Sequence, residues 1–259
     1  MKLFNIIGDI HGRPYWRKLV KDNRINIFVG DYFDPYDDYS FEELKDNFLS
    51  IIEFVKTTPD TILLMGNHDI HYLTIPDGSR YDSIHAAEIR QLFLDNIHLF
   101  NGVAYAINED VLVSHAGATK EWLEKTGYYN VDYPRNAIGI ADWINNTFWD
   151  GFTDTSNGAL GWDMTSHCLI KEFLFSRSDY WDVYGTSPDQ SPAWVRPQTL
   201  ADHTALPDGV QIVGHTQVNN IIPDIHPRII MVDCLGTNPA SLMVDVDDNV
   251  KYNVNKYEP

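Results

Sequence analysis

The stretch Gly-Asp-Tyr-Phe-Asp occupies residues 30–34, and the predicted fold is organised around it. It follows the run Ile-Asn-Ile-Phe-Val at residues 25–29, whose apolar character predicts a buried strand. Asp31 therefore stands where a strand ends and a loop begins, with two carboxylate oxygens free to face a cleft. Because one carboxylate can bridge two cations, Asp31 is a candidate for the centre of a binding site.

The same arrangement recurs along the chain, as short apolar runs that lead into Asp, Asn or His. The further motifs are Gly-Asp-Ile-His at 8–11, Gly-Asn-His-Asp at 66–69, Ser-His-Ala-Gly at 114–117 and Gly-His-Thr at 214–216. Open α/β sheets bind their ligands at the carboxyl ends of their strands, where these motifs are predicted to lie. Carboxylates and imidazoles in one site favour Mn, Fe or Zn over Ca or Mg. We therefore interpret the motifs as the walls of one two-metal site, with Asp31 at its centre.

Hydrophobic periodicity predicts a β-α-β-α-β order over the first 70 residues and a β-rich end of the chain. The predicted strands cover residues 2–7, 25–29, 61–65, 103–107, 111–113, 210–213, 229–232 and 241–246. The predicted helices cover residues 16–23, 41–56, 83–96 and 137–148. Ser40 and Glu43 have the spacing of a capping box, which predicts where the second helix begins.

The segment at about 120–205 interrupts this regular order. Between His115 and His215 the chain holds six of its seven tryptophans, together with many Tyr, Pro and Asp residues. We predict an aromatic-rich insertion or cap within a single domain of residues 1–259, built either as loops that cover the site or as a small cap. Such aromatic density is typical both of long loops that pack on themselves and of a surface for a substrate or partner.

The composition disfavours several classes of protein. A net charge of −18 repels nucleic acids and anionic membranes at long range, although bound metals would still admit a phosphorylated substrate. No apolar run reaches the roughly 18 residues of a membrane-spanning helix, and the first residues lack the features of a signal peptide. Two cysteines, Cys168 and Cys234, make neither a disulfide framework nor a zinc ribbon. We therefore expect a cytoplasmic protein without nucleic-acid or membrane partners.

Together the five motifs resemble the calcineurin-like metallophosphoesterase superfamily in residue types, in order and in their predicted places at strand ends. The similarity is closest to its phosphoprotein phosphatase branch with the bacterial and phage relatives, and to the symmetrical diadenosine tetraphosphatases. It covers about residues 1–117 and 210–246. The resemblance implies an α/β fold of the four-layer α+β type. In that fold two packed mixed β-sheets are flanked by helices, and a dimetal site lies at the carboxyl ends of the strands.

The resemblance also implies ligands for two divalent ions, which could be Mn, Fe, Zn or Ni. The implied ligands are Asp9 and His11 on the first ion, Asp31 on both, and Asn67, His115 and His215 on the second. Asn67 would bind through its neutral amide oxygen, which limits the negative charge of the site. Many diesterases and nucleases of the superfamily carry a second histidine where this chain has Gln217. That departure favours the phosphatase-like branch.

By the same resemblance His68 faces the substrate and is held by Asp34, so these two are the implied catalytic residues. A carboxylate partner raises the pKa of an imidazole and fixes its tautomer. A protonated His68 could then donate a proton to the leaving alkoxide. The implied reaction is in-line attack on phosphorus by a hydroxide that bridges the two ions, with no covalent phospho-enzyme.

Two phosphate-binding arginines of the phosphatase branch are missing from these motifs. Pro35 and Tyr36 follow the second motif and Ile70 and His71 follow the third, where that branch carries arginine. Arginine binds phosphate in a bidentate manner that lysine does not reproduce. The candidate substrate contacts are Asn67, Arg196 and Arg13, with His71 as a further candidate.

We therefore predict a dinuclear metal-dependent phosphoesterase that hydrolyses phosphomonoesters, on either a phosphoprotein or a small metabolite. One alternative is the hydrolysis of symmetrical dinucleoside polyphosphates, for which Tyr32, Phe33 and Tyr36 could stack on a base. The others are a phosphodiesterase or nuclease, and a metal-bound scaffold without catalysis.

Overall fold

The computed structural model describes residues 2–74, 79–156, 182, 184–223, 226–247 and 249–258, which form two β-sheets and several helices. The strands of the first sheet, sheet A, are β1 (Lys2–Ile7), β2 (Ile25–Phe28), β3 (Thr61–Leu64), β4 (Phe100–Gly102), β9 (Ala240–Val246) and β10 (Val250–Lys256). The strands of sheet B are β5 (Ala104–Ala106), β6 (Val111–Ser114), β7 (Val210–Val213) and β8 (Ile229–Met231).

Both sheets are mixed. Sheet A has the order β10-β9-β1-β2-β3-β4, in which β1 to β4 run parallel and β9 and β10 pair antiparallel. Sheet B has the order β5-β6-β7-β8, in which only the β5–β6 pair is antiparallel. The carboxyl ends of β1, β2 and β3 therefore share one edge of sheet A, and those of β6, β7 and β8 share one edge of sheet B.

Helices flank the two sheets, and seven of them are described. They are α1 (Trp16–Leu19), α2 (Phe41–Thr57), α3 (Asn67–Leu73), α4 (Ala86–Asn96), α5 (Lys120–Lys125), α6 (Ala137–Ser156) and α7 (Pro197–His203), with 3-10 turns at Ile97–Leu99 and Tyr128–Asn130. Helix α2 begins at the capping box that the sequence predicts. The amide of Glu43 donates to the hydroxyl of Ser40 at 3.3 Å, and the amide of Ser40 donates to the Glu43 carboxylate at 2.8 Å.

Alternation along the strands divides the core into layers. On β2, Ile27 is buried in the cluster that contains Val113 of sheet B, so the two sheets pack face to face. The next residue, Phe28, points the other way and packs against Trp16 of α1. Helix α6 packs on β5 and β6, on the other side of sheet B. The predicted α/β fold of two packed mixed sheets flanked by helices is confirmed.

The eight predicted strands are confirmed to within one residue at either end, but several helices differ from their predictions. The helix predicted at 16–23 ends at Leu19, because the backbone of Val20 turns to an extended conformation with ψ of 151°. The helix predicted at 83–96 begins at Ala86, because the amides of Ile84 and His85 bind the Asp82 carboxylate in a turn. Helix α6 continues past the predicted end at 148 to Ser156.

Strands β4 and β10 and helices α3, α5 and α7 were not predicted. Strand β10 nevertheless has a period-two pattern, since Val250, Tyr252 and Val254 are half-buried while the residues between them are exposed. Helix α3 begins inside the third motif, which the sequence indicates only as a loop. No helix of the described chain has the length and apolar character that crossing a bilayer requires.

Residues 157–181 and 183 of the predicted aromatic-rich segment lie outside the described residues. In the described part, Trp122, Tyr128 and Trp194 are buried in the core cluster that also holds Phe48 of α2. These three aromatic side chains therefore pack on the body of the protein. The interpretation of the whole segment as an insertion or cap stays a prediction.

Candidate metal centre and active-site cleft

Six loops converge where the parallel strands of the two sheets end. Each loop brings a polar side chain with it: Asp9 after β1, Asp31 after β2, Asn67 after β3, His115 after β6, His215 after β7 and Asp233 after β8. All six of these side chains are buried or nearly so. The topology of the sheets thus assembles residues from distant parts of the sequence into one site.

The backbone at this site has an unusual conformation. Among the described residues other than glycine, five have a positive φ, and four of them are His11 (43°), Asp31 (54°), Asp34 (58°) and His215 (60°). L-residues seldom adopt this left-handed conformation, and it concentrates at functional sites where the surrounding structure enforces it. The sharp turns allow both Asp and His side chains to point into the site directly after a strand.

Glycines in the motifs let the backbone approach the polar groups closely. A Cβ atom on Gly66 would lie 2.1 Å from Oδ1 of Asp31, and one on Gly214 would lie 2.0 Å from Oδ1 of Asp9. Neither position could hold any other residue without displacing a carboxylate. The glycines of these motifs are therefore required by packing around the site rather than by the turns alone.

The Asp31 carboxylate lies between histidines of two different loops. Its Oδ2 atom is 3.6 Å from Nε2 of His11 and 3.5 Å from Nε2 of His115. The Oδ1 atom of Asn67 is 2.9 Å from Nε2 of His115 and 2.9 Å from Nδ1 of His215. Oxygen and nitrogen atoms thus surround Asp31 on both sides, which is the arrangement that a carboxylate bridging two cations requires.

Backbone carbonyls orient the histidine rings. The Nδ1 atom of His11 lies 2.9 Å from the Asp34 carbonyl oxygen, and Nδ1 of His115 lies 2.9 Å from the Val29 carbonyl oxygen. Because a carbonyl can only accept a hydrogen bond, Nδ1 carries the proton in both rings, and Nε2 presents a lone pair to the site. Burial lowers the pKa of His11 to about 4 and also lowers the pKa of His115, so both rings are in the neutral form that binds metals.

Asp69 ties the loop after β2 to the loop after β3. Its Oδ2 atom accepts hydrogen bonds from the amides of Asp31 and Gly66, both at 2.8 Å, and its Oδ1 accepts from the amide of Tyr32 at 2.9 Å. In return the amide of His68 donates to Oδ1 of Asp31 at 3.0 Å. The position of the Asp31 carboxylate is therefore fixed by both loops.

The buried groups at the site fit divalent cations. The Oδ1 atom of Asp9 and the Nε2 atom of His215 are buried and make no hydrogen bond within the described chain. Burial raises the pKa of Asp9, and the nearby charges of Asp233 and Asp31 raise it further. Clustered buried carboxylates repel one another unless a cation neutralises them. Ligand atoms of Asp9, Asp31 and His115 lie within 4.8 Å of one another, and these N and O donors suit Mn, Fe, Zn or Ni.

A second cluster lies beside the first. The Oδ2 atom of Asp34 is 2.8 Å from Nδ1 of His68 and 2.8 Å from Nε2 of His71. Burial on its own lowers the pKa of His68, but the carboxylates of Asp31 and Asp34 raise it by more, and the net shift is upward. The three side chains are also close enough to hold a cation, since their ligand atoms lie within 4.8 Å of one another.

A cleft of about 160 Å³ opens over both clusters. The predicted site residues that line it are His11, Asp31, Asn67, His68, Arg196 and His215. It is also lined by Tyr36 and Gln217, which the sequence analysis discussed, and by Ser79, Trp194 and Asp233, to which it gave no site role. The other predicted site residues, Asp9, Asp34 and His115, are buried behind this surface.

The two arginines that were predicted to contact substrate occupy different environments. Arg196 lines the cleft, and its Nη1 atom donates to the His215 carbonyl and to Oγ1 of Thr216, both at 3.1 Å. Arg13 is buried, its Nε atom donates to Asp37 at 2.9 Å, and it is absent from the described residues that line the cleft. His71 is likewise buried behind Asp34 and absent from that lining.

Asp233 is a carboxylate of this site to which the sequence analysis gave no site role. Its Oδ1 atom is buried and makes no hydrogen bond within the described chain. Burial raises the pKa of Asp233 to about 7, although Arg13 acts in the opposite direction. A signal was present, because Asp233 follows the apolar run at 229–232 just as Asp31 follows the run at 25–29.

Two sheets whose parallel strands deliver carboxylate, amide and imidazole side chains to one cleft define a hydrolase-type metal site. Residues 3–219 match the model of the calcineurin-like phosphoesterase family, and the chain belongs to that family. The resemblance inferred from the motifs is confirmed, and so is the class of metal-dependent phosphoesterase.

Solved structures show the same fold. The protein-tyrosine phosphatase of a psychrophilic Shewanella species has 15% sequence identity and a TM-score of 0.61, over 100% of this chain and 81% of that one. A further structure of a cold-active protein tyrosine phosphatase gives 16% identity and a TM-score of 0.59, over 98% and 78% of the two chains. No protein of curated function matches the sequence.

Proposed function

We propose that this protein hydrolyses phosphomonoesters, on a phosphoprotein or a small metabolite, with the help of two divalent cations. The observation that carries the proposal is the position of Asp31. Its Oδ2 atom is 3.6 Å from His11 on one side and 3.5 Å from His115 on the other, and His68 lines the same cleft. One cleft therefore presents groups for two cations beside a group that can move a proton.

In this proposal the six predicted ligands divide between the two ions. Asp9 and His11 hold one ion, Asn67, His115 and His215 hold the other, and Asp31 holds both. When bound, the ions would draw in the phosphoryl oxygens and lower the pKa of an attacking water. The amide of Asn67 also faces the cleft, where it could contact a phosphoryl oxygen. Mn, Fe, Zn and Ni are all compatible with these donors.

His68 is the proposed general acid. Its Nδ1 atom faces Asp34, so its Nε2 atom is the ring nitrogen available to the cleft. The net upward shift of the His68 pKa supports a protonated ring, which can donate to the leaving oxygen as the bond to phosphorus breaks. Asp34 keeps the His68 ring in place while the bond to phosphorus breaks, and it stabilises the positive charge of the protonated ring before the proton is donated.

Arg196 is the proposed substitute for the two missing phosphate-binding arginines. Its Nη1 atom is held by the loop that carries His215, so the guanidinium is already oriented at the rim of the cleft. Arg13 would act only at a distance, since its guanidinium is buried beside Asp37. A net charge of −18 supports a small phosphorylated group or a phosphoprotein over nucleic acid.

One of the three aromatic residues considered for base stacking remains available. Tyr32 and Phe33 are buried against Phe48 in the core, so neither can stack on a base. Tyr36 is 52% exposed and lines the cleft. It could contact a nucleoside or, as the name of the similar Shewanella enzyme suggests, a phosphorylated tyrosine.

The buried free thiol of Cys234 supports the further proposal of a reducing, cytoplasmic location.

The test is a substrate panel with metal-depleted protein that is reloaded with Mn, Fe, Zn or Ni. We expect turnover of 4-nitrophenyl phosphate and of phosphoserine or phosphotyrosine peptides, and very slow turnover of bis(4-nitrophenyl) phosphate. Cleavage of a dinucleoside tetraphosphate without cleavage of the monoester would replace the proposal by the dinucleotide alternative. Tight metal binding with no cleavage of any ester would favour the scaffold.

Replacing Arg196 by methionine should lower kcat/KM for a phosphomonoester about 10- to 100-fold, because a charge-assisted hydrogen bond to the phosphate is lost. Most of the effect should fall on KM, and Arg196→Lys should restore only part of it. The matched control is Arg135→Met, since Arg135 is exposed and stacks on Tyr128 and Tyr129 away from the cleft. An unchanged kcat/KM in Arg196→Met with full metal content would exclude the assignment.

A further inference from the structure

The Asp34 carboxylate has more partners than an Asp–His pair requires. Oδ2 accepts from Nδ1 of His68 at 2.8 Å, and Oδ1 accepts a short hydrogen bond from the hydroxyl of Tyr72. The hydroxyl oxygen of Tyr72 in turn lies 2.9 Å from the backbone nitrogen of Asp82. These contacts form one line of hydrogen bonds, the Asp82–Tyr72–Asp34–His68 chain, which ends at the cleft.

The backbone amide of Asp82 fixes the direction of the first hydrogen bond in this chain, and the geometry favours one direction for the others. A backbone N–H can only donate, so the Tyr72 oxygen accepts from Asp82. The single hydroxyl hydrogen of Tyr72 is then free to donate to Oδ1 of Asp34. Oδ1 of Asp34 faces the Tyr72 hydroxyl and Oδ2 faces two imidazole nitrogens, so an ionised Asp34 is placed to accept at both oxygens, with Nδ1 of His68 as a donor to Oδ2. The proton on Nδ1 of His68 is thus set from the far end of the chain.

Within the described chain, the hydroxyl of Tyr72 makes the two contacts of this line of hydrogen bonds, one to Asp82 and one to Asp34. Its ring is buried, and its phenol is kept protonated because burial and then the Asp34 carboxylate raise its pKa. The edge of His71 packs on its ring at 4.5 Å between centroids, and Tyr81 stacks on it at 4.8 Å. A phenylalanine would fill the same space and keep these ring contacts, but Oδ1 of Asp34 would lose its donor and the amide of Asp82 would lose its acceptor.

We propose that Tyr72 is a positioning residue for the proposed phosphatase reaction, which fixes the tautomer and orientation of His68 through Asp34. The inference rests on the proposed function of this site and adds a residue to it. His71 would play a lesser part, since its Nε2 atom lies 2.8 Å from the oxygen that His68 also contacts.

The chain is anchored on the start of a helix. The carboxylate of Asp82 accepts from the amides of Ile84 and His85 at 3.0 and 3.1 Å, in the turn that leads into α4. Its other oxygen is 2.7 Å from Nδ1 of His85. The amide that begins the chain is therefore held by residues outside the metal-binding loops. The orientation of His68 depends in this way on a turn that contributes no metal ligand.

The decisive variant is Tyr72→Phe, with Tyr81→Phe as its matched control. Tyr81 stacks on Tyr72, so its variant also removes one phenol from the same cluster, but that phenol does not touch Asp34. Both variants should be compared with wild type as metal-loaded protein, after unfolding midpoints and metal content have shown that each is folded and loaded.

Two substrates separate positioning from a general structural effect. An alkyl phosphate has a poor leaving group that needs the proton of His68, whereas 4-nitrophenyl phosphate has a good one that needs it little. We expect Tyr72→Phe to lower kcat for the alkyl phosphate about tenfold or more, with KM unchanged, and to leave 4-nitrophenyl phosphate nearly unaffected. Tyr81→Phe should behave as wild type with both. Equal losses with the two substrates, or no loss with either, would overturn the inference.

A measurement that does not depend on turnover tests the role of Tyr72 separately from the proposed function. Nitrogen-15 spectra of the zinc-loaded protein should show a single ring form of His68 with a proton on Nδ1 in wild type and in Tyr81→Phe, and a mixture of ring tautomers in Tyr72→Phe. If wild type hydrolyses no phosphomonoester, the proposed function fails, and these spectra still decide whether Tyr72 controls His68. Identical His68 signals in all three proteins would refute that control.

Discussion

Replacing His68 by asparagine should lower the turnover of an alkyl phosphate about 10²- to 10⁴-fold, the range typical of a lost general acid, while metal content stays the same. Metal should be retained because the contact of this residue with Asp31 is made by its backbone amide, which the substitution keeps. The loss should be much smaller with 4-nitrophenyl phosphate, whose leaving group departs without a proton. Steady-state kinetics with both esters, beside metal analysis, checks this expectation.

A histidine outside the site provides the control for that variant. His98 is exposed on the 3-10 turn after α4, and His98→Asn should leave rate and metal content unchanged. The informative contrary result is a loss of bound metal in His68→Asn. The ligand atoms of Asp34, His68 and His71 are close enough to hold a cation themselves. That result would therefore assign this cluster to metal binding rather than to proton donation.

Replacing Asp31 by asparagine should remove both cations and, with them, all measurable phosphatase activity. Its Oδ2 atom lies between His11, a proposed ligand of the first ion, and His115, a proposed ligand of the second. The substitution therefore removes a negative charge that both ions share. Loss of a buried charged partner typically costs about 3–5 kcal/mol, so metal affinity should fall about 10²- to 10⁴-fold. Calorimetric titration with Mn or Zn measures the affinity and the number of sites.

Two further variants make the bridging role specific. Asp9→Asn should weaken the binding of one ion and leave the binding of the other unchanged, because Asp9 is a proposed ligand of the first ion alone. Asp38→Asn is the neutral control, since Asp38 is exposed and absent from the described residues that line the cleft. If Asp31→Asn still bound two ions with wild-type affinity, Asp31 would not be the bridge, and the proposed function would lose its central observation.

Much of the fold was predictable because local signals and tertiary packing agree. The apolar runs of β1, β2 and β3 are buried on both faces, and sequence periodicity detects such strands well. Ser40 determines the start of α2 through a purely local capping box. Elements decided by non-local contacts were missed or misplaced. Helix α1 stops early and α4 starts late because of turns at Val20 and Asp82 whose sequences have no strong helix breaker.

The residues of the candidate site also divide into those that local sequence signals predict and those that depend on non-local contacts. Residues that follow a strand directly, such as Asp31 and His215, could be proposed from the sequence, because strand ends meet at the edge of a sheet. Asp233 follows the same rule but was not recognised as part of the site. The role of Tyr72 could not be predicted from the sequence, because its hydroxyl contacts Asp34 only as a result of α3 starting within the third motif. Its spacing along the chain gives no sign of that contact.

The position of β1 in sheet A has a consequence for how the protein is made. Strand β1 lies between β2 and β9, so Lys2 pairs with Val246 and Ile7 pairs with Ser241. During synthesis one edge of β1 must stay without its partner until residues 240–246 have left the ribosome, a situation that favours slow folding and exposes an edge to other chains. The loop with Asp9 and His11 follows this strand. The loop with these two proposed ligands is therefore fixed in place only after β9 has been made, and loading of the ions should wait for that pairing.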